Sequence, residues 1–389
     1  PKPRLVPGRM LATTQVQRLD PRAEWSSPRT HVNTAGDGLV VACQRDRFAD
    51  PAGVGALVRE FTSTPPRRRL PVTSATQFSE LSGDEEAASA AYRSTLGWFA
   101  NCATPNTYLA ATETLAGVGN EAMMFHLQQW GASPQRITVA VARSGQVTTT
   151  VQVTRAGTQE VRPRLTAALL AAAVNAQCGE AGTDTCAAPP AAEAAGPLPL
   201  IDDPGMLAEW DLPQPGVVQI GWVGTRPAAA RLNLAASRCD ETNFSARPFR
   251  SSLTRTYVTP GAAVPQEFGL TETIGVTAGE RAAIEQAALM IGALTKCEKD
   301  ELGTKVRRIV FEEDATSQLA VWNLQTEISD AESITFLLAV LRDGNRIGEL
   351  GFVPAADAGW TDEQFVAVAR RALDRLAEAP RKKLAPEGE

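Results

Sequence analysis

Apolar and polar positions along this chain follow two rhythms, and the order in which they change occurs twice. From Asp84 to Cys102, Ala87, Ala91, Leu96, Trp98 and Phe99 supply apolar faces among polar residues, which predicts a helix. Ser82 is the expected N-cap, and Asp84-Glu85-Glu86 place acids where the helix dipole favours them. The rhythm then becomes extended. Met123–Gln129 reads as a strand, and Ile137–Val141 and Val147–Val153 flank Arg143-Ser144-Gly145-Gln146. β-branched runs around a glycine-containing loop predict an antiparallel hairpin. A second helical pattern, Arg164–Ala176, follows. The succession then returns: a helix over Glu280–Cys297, a hairpin of Ile334–Leu341 and Ile347–Val353 around Arg342-Asp343-Gly344-Asn345, and a helix over Thr361–Ala377.

Local matches support duplication in the same order. Val58-Arg59-Glu60-Phe61-Thr62-Ser63 answers to Leu253–Thr259, and Thr76–Gly83 answers to Thr271–Gly279. Phe125-His126-Leu127-Gln128 is matched by Trp322-Asn323-Leu324-Gln325, and Val141–Gly145 by Val340–Gly344. Cys43 and Cys102 are 102 − 43 = 59 residues apart, and Cys239 and Cys297 are 297 − 239 = 58 apart. Internal repetition fixes architecture before any local assignment does. Strands follow one another without alternating with helices, which is the pattern of an α+β protein. The expected fold is therefore two similar modules, each an antiparallel sheet with helices packed on one face and a disulfide staple.

Six cysteines permit 15 pairings. Duplication selects Cys43–Cys102 and Cys239–Cys297, leaving Cys178–Cys186. Disulfides persist outside the reducing cytosol, so the expected location is extracytoplasmic, secreted or membrane-tethered. With 389 residues, two domains are the default. The expected division is an exposed approach over 1–24, a first module over 25–178, an Ala/Pro/Gly-rich linker over 179–204, a second module over 205–379 and a disordered tail over 380–389. The net charge of −6 argues against nucleic acid as a partner. The basic run Arg67-Arg68-Arg69 reads as a solvated loop. The most apolar segment, Leu165–Val174, is too short to span a bilayer. The chain begins Pro-Lys-Pro, so any membrane contact is expected through an N-terminal signal or anchor preceding Pro1.

Motifs for chemistry are sparse. Gly117-Val118-Gly119-Asn120-Glu121-Ala122 fits G-x-G-x-x-A, but a dinucleotide site needs a helix after it, and a strand pattern follows. His31 and His126 have no nucleophile elbow beside them in sequence, so both are expected to serve as hydrogen-bonding residues. Two histidines supply a zinc site poorly. The acidic clusters Asp84-Glu85-Glu86, Asp202-Asp203 and Glu312-Glu313-Asp314 lack the calcium-loop pattern. Trp98, Trp130, Trp210, Trp222, Trp322 and Trp360 are candidates for a cleft but more often fill cores. No catalytic residue, metal site or cofactor is assigned.

Trp98-Phe99-Ala100-Asn101-Cys102 after Gly83, Gly119-Asn120-Glu121-Ala122, the hairpin at Arg143-Ser144-Gly145 and the closing helix together resemble an extracytoplasmic family. It is the sensor domain that actinobacteria attach to membrane serine/threonine kinases and also display as lipoproteins. The second half keeps Cys297 but lacks the Trp98-Phe99-Ala100-Asn101-Cys102 pattern and the Gly-Asn-Glu turn. The resemblance implies ligand sensing or envelope association without catalysis. The expected function is a non-catalytic binding module of the bacterial envelope, its ligand or protein partner unidentified. The alternatives are an envelope protein that docks another protein and a secreted hydrolase with dispersed carboxylates.

Overall fold

The computed structural model describes residues 3–384 except 27–28, 68, 160, 180–182, 184, 201–204, 232, 234, 236 and 330–331. It divides into two units, Pro1–Leu198 and Pro199–Glu389. The first contains α1 (Thr13–Val16), β1 (Glu24–Trp25), β2 (Arg29–His31), β3 (Gly55–Thr64), β4 (Thr73–Leu81) and α2 (Glu85–Ala100). It continues with β5 (Thr107–Ala116), β6 (Glu121–Gln129), β7 (Gln135–Ser144), β8 (Val147–Ala156), α3 (Pro163–Gln177) and β9 (Ala191–Ala195). The second contains β10 (Val223–Gly224), β11 (Ala228–Ala229), β12 (Phe249–Val258), β13 (Gly269–Thr277) and α4 (Glu280–Asp300). After these come β14 (Thr304–Glu313), β15 (Ser317–Ser329), β16 (Glu332–Asp343), β17 (Arg346–Val353) and α5 (Asp362–Leu376).

The two antiparallel sheets share one topology. Their orders are β1-β3-β4-β8-β7-β6-β5-β9 and β10-β12-β13-β17-β16-β15-β14, with β2 on β3 and β11 on β12. Element by element, β3 to β8 correspond to β12 to β17. The paired hairpins close alike: Ser82 N donates to Gln146 O at 3.0 Å, and Thr277 N to Asn345 O at 2.9 Å. The α+β class and the duplicated, disulfide-stapled modules are what the periodicity predicted.

The helices are arranged differently from that expectation. They cover both faces of each sheet. Val139 and Val141 of β7 are fully buried, and so are Ala140 and Ala142, which point the opposite way. Phe99 of α2 stacks on Phe125 at 4.5 Å on one face. On the other, Leu170 and Val174 of α3 join Met124, Ala140, Ala142 and Val151. In the second unit, Met290 and Leu294 of α4 pack with Trp322, Val340 and Ile347. Phe365 of α5 stacks with Phe352 and Trp360 on the reverse face. A strand that is apolar on consecutive residues needs cover on both sides.

Three further boundaries differ. The segment 1–24, expected as an exposed approach, contributes Leu11, Val16 and Leu19 to the core beneath α3, alongside Trp25 of the first module. The segment expected as a linker includes β9, which pairs with β5 from Thr112↔Ala195 to Ala116↔Ala191. In the tail, Leu384 is buried and its N donates to Ser251 Oγ at 2.8 Å; residues 385–389 lie outside the described residues. The α2 N-cap is Asp84, whose carboxylate accepts from Ala87 N at 2.8 Å, and not Ser82. An acid there satisfies a free amide and meets the helix dipole.

Each unit opens on the same latch. Met10-Leu11-Ala12 recurs as Met206-Leu207-Ala208. Leu11 N donates to Gln77 Oε1 at 2.7 Å, and Leu207 N to Glu272 Oε2 at 2.8 Å. Arg59 Nη1 donates to Leu11 O at 2.9 Å and Arg255 Nη1 to Leu207 O at 3.0 Å. Arg59 lies across from Gln77 on β3 and β4, as Arg255 lies across from Glu272 on β12 and β13. A strand pair thus grips an incoming backbone by both its amide and its carbonyl, satisfying groups whose burial would otherwise be costly.

Candidate functional site

A recess in the second unit lies where the far ends of β15 and β16 meet the loop that carries Cys239. Its volume is about 160 Å³, and its lining is Ser237, Arg238, Cys239, Leu324, Thr326, Ile328, Ile334 and Phe336. Leu324 and Thr326 form the buried floor, while Ile328 remains 53% exposed at the lip. Ile334 and Phe336 stand across from Thr326 and Leu324 on the neighbouring strand. The pleat therefore delivers one apolar face from four positions, since alternate residues share a side.

The loop wall is fixed locally. Cys239–Cys297 ties it to α4. Ser237 N donates to Asp240 O at 3.2 Å, and Cys239 N donates to Ser237 Oγ at 3.1 Å. Asp240 Oδ1 accepts from Thr242 N at 3.0 Å and from Thr242 Oγ1 at 2.7 Å, an Asx-type turn. Burial raises the Asp240 carboxyl above its ordinary value, against those two hydrogen bonds. Behind the loop, Asn233 Nδ2 donates to Glu349 Oε2 at 2.6 Å. Glu349 is fully buried, and desolvation with Asp240 nearby pushes it well above the carboxylate range. Arg238 is exposed at the mouth and makes no hydrogen bond or ion pair among the described residues. The recess therefore offers apolar walls inside, with a hydroxyl and a guanidinium at its mouth.

The residues singled out in the sequence are dispersed through the fold. All six cysteines pair, as Cys43–Cys102, Cys178–Cys186 and Cys239–Cys297. Of them, Cys239 lines the recess. Trp98, Trp130, Trp222, Trp322 and Trp360 are buried, with Trp222 and Trp360 inside a cluster with Phe268 and Phe352. Gly117 and Gly119 have φ of 82° and 62° and turn the chain between β5 and β6, as a hairpin loop requires. His126 Nε2 lies 3.1 Å from Glu113 Oε2, and His31 Nε2 lies 3.4 Å from Glu60. Asp84 caps α2, Glu312 pairs with Arg370, and Asp314 is held down to about 2 by hydrogen bonds from Ser317 and Thr316. Asp202-Asp203 falls outside the described residues. Among those described, no three His, Cys, Asp or Glu side chains converge, and no helix is long and apolar enough to cross a membrane.

The arrangement defines a class: a duplicated, disulfide-stapled α+β protein with an apolar recess in its second copy. No protein-family model and no curated protein matches the chain. Among solved structures, the extracellular domain of PknH from Mycobacterium tuberculosis is similar at 14% identity and a TM-score of 0.31, covering 44% of this chain and 96% of that one. The immunity protein TplEi of T6SS from Pseudomonas aeruginosa, complexed with "L" peptide, is similar at 12% identity and a TM-score of 0.22, covering 81% of this chain and 94% of that one. Its apo structure gives 10% identity and the same TM-score, covering 81% and 93%. Overlaps of this size carry no function to this chain.

Proposed function

We propose that the chain is a non-catalytic binding protein of the bacterial envelope, acting outside the cytoplasm, and that it holds the apolar part of an amphipathic ligand in the recess of the second unit. The recess carries this reading: Leu324, Ile328, Ile334 and Phe336 surround it, and Arg238 and Ser237 stand at its mouth. Apolar walls with a few convergent polar groups are the usual build of a small-molecule site. The exposed guanidinium favours an anionic or hydrogen-bond-accepting head. Three disulfides support an oxidising compartment.

Native mass spectrometry of the gently purified chain tests the reading. A discrete adduct released on denaturation is expected, and Ser237→Trp, which fills the recess, should lose it. An adduct that survives in Ser237→Trp would place the ligand elsewhere.

A further inference from the structure

A second recess, in the first unit, has a different chemistry. Its volume is about 90 Å³, and Phe48, Asp50, Pro51, Gly53, Gly55, Ala56 and Glu80 line it. Glu80 sits near the end of β4 and is only 5% exposed. Ala49 N donates to its Oε1 at 2.8 Å and Asp50 N at 3.5 Å. Among the described residues its Oε2 has no hydrogen-bond partner, and it is not a fully enclosed atom, so it opens on the recess. Asp50 turns the wall by accepting Gly53 N at its carbonyl, 3.0 Å, and Ala52 N at Oδ1, 3.0 Å.

The duplicate shows what the fold itself requires here. Leu81 opens the ladder with Val147 as Val276 does with Arg346, so Glu80 corresponds to Gly275. A Cβ on Gly275 would lie 2.5 Å from Phe249 and 3.0 Å from Phe244: in the second unit two rings fill the place. The scaffold closes there without a carboxyl. Burial pushes the Glu80 carboxyl up to about 7, and Asp50 adds to the rise. A buried acid without a counter-charge is costly, and the chain retains one that its own copy does without.

We propose that this recess binds the primary ammonium end of an alkylamine, with Glu80 Oε2 taking the charge and Phe48, Pro51 and Ala56 packing the methylenes. An ammonium brings donors to a site that offers acceptors, and Phe48 puts an aromatic ring in its lining. Two carboxylates give too few oxygens for a calcium cage, whereas apolar walls suit a carbon-bearing cation. The net charge of −6 draws such a ligand in.

The test is a titration of the full chain at pH 8 with n-butylammonium chloride, followed by amide NMR. Saturable shifts are expected at Ala49, Gly53 and Gly55, and n-butanol should produce none. Glu80→Gln keeps an acceptor for Ala49 N and should weaken binding by about tenfold or more. Ala56→Leu, which fills the recess and leaves Glu80 in place, should abolish it. Shifts that do not saturate, equal binding of n-butanol, or unchanged affinity in either variant would overturn the assignment.

Discussion

Glu272 and Gln77 occupy the same place in the two copies, but the Glu272 carboxyl can titrate, whereas the Gln77 amide cannot. Burial raises Glu272 from 4.5 to about 7, against hydrogen bonds from Leu207 N and Tyr257 and the nearby charge of Arg255, with Asp211 adding to the rise. The folded chain therefore holds a proton that the unfolded chain releases at lower pH. The stability this contributes is fully present below about 4.5 and is lost as pH rises through about 7, at a cost on the order of 3 kcal/mol. Glu80, raised to about 7 mainly by burial, acts in the same direction. Urea denaturation at pH 5.5 and pH 8 should show a lower midpoint at pH 8 for the second unit. Glu272→Gln, which copies the amide of the first latch, should remove part of that difference, with the raised Glu349 supplying more of it; an undiminished one would contradict the latch account. A second residue-scale prediction concerns Arg375, whose Nε and Nη2 lie 2.9 and 3.1 Å from the Asp211 carboxylate. Both side chains are fully buried. Arg375→Met should cost roughly 3 kcal/mol by leaving the buried Asp211 with only the longer contact to Arg371 at 3.6 Å and the Ala208 amide, and adding Asp211→Leu should recover part of it.

At the scale of elements, the disulfide between Cys239 and Cys297 does two things. It closes a span of 58 residues, and it holds the wall of the apolar recess against α4. Chain entropy alone gives about 4 kcal/mol for a loop of that length. The double variant Cys239→Ser/Cys297→Ser should unfold at lower denaturant than the parent, and its ligand adduct should fall even where it remains folded. Unchanged retention would show that the wall needs no tether. The β7–β8 and β16–β17 hairpins were legible because each turn carries its own signal and the copies check one another, whereas the pairing of β4 with β8 and of β13 with β17 has no local signal. The two-sided helix cover was equally available in Val139-Ala140-Val141-Ala142, a run apolar at consecutive positions, although the hairpin pattern alone drew attention to one face. The Met-Leu-Ala latch was masked by a single-residue offset between Pro7-Gly8-Arg9-Met10 and Pro204-Gly205-Met206. The recess was not legible, because Ser237 and Phe336 lie 336 − 237 = 99 residues apart and only the fold brings them together.

For the whole molecule, duplication has freed each copy to specialise. The shared scaffold keeps the latch, the staple joining the first long helix to the preceding loop, and the sheet. The differences lie on top of it: Glu80 where the other copy has Gly275, and an open apolar recess in that other copy. Each unit has its own core, so separately expressed Pro1–Leu198 and Pro199–Glu389 should each unfold cooperatively, as near-ultraviolet circular dichroism would report. A fragment that gains its signal only on adding the other would count against independent modules. The central claim, that the second unit binds an amphiphile in its recess, is tested most directly by isoleucine-methyl NMR of the full chain during titration with decanoate. The account predicts saturable shifts at Ile328 and Ile334, lost in Ser237→Trp. Shifts confined to other isoleucines, or the same saturation in Ser237→Trp, would contradict it.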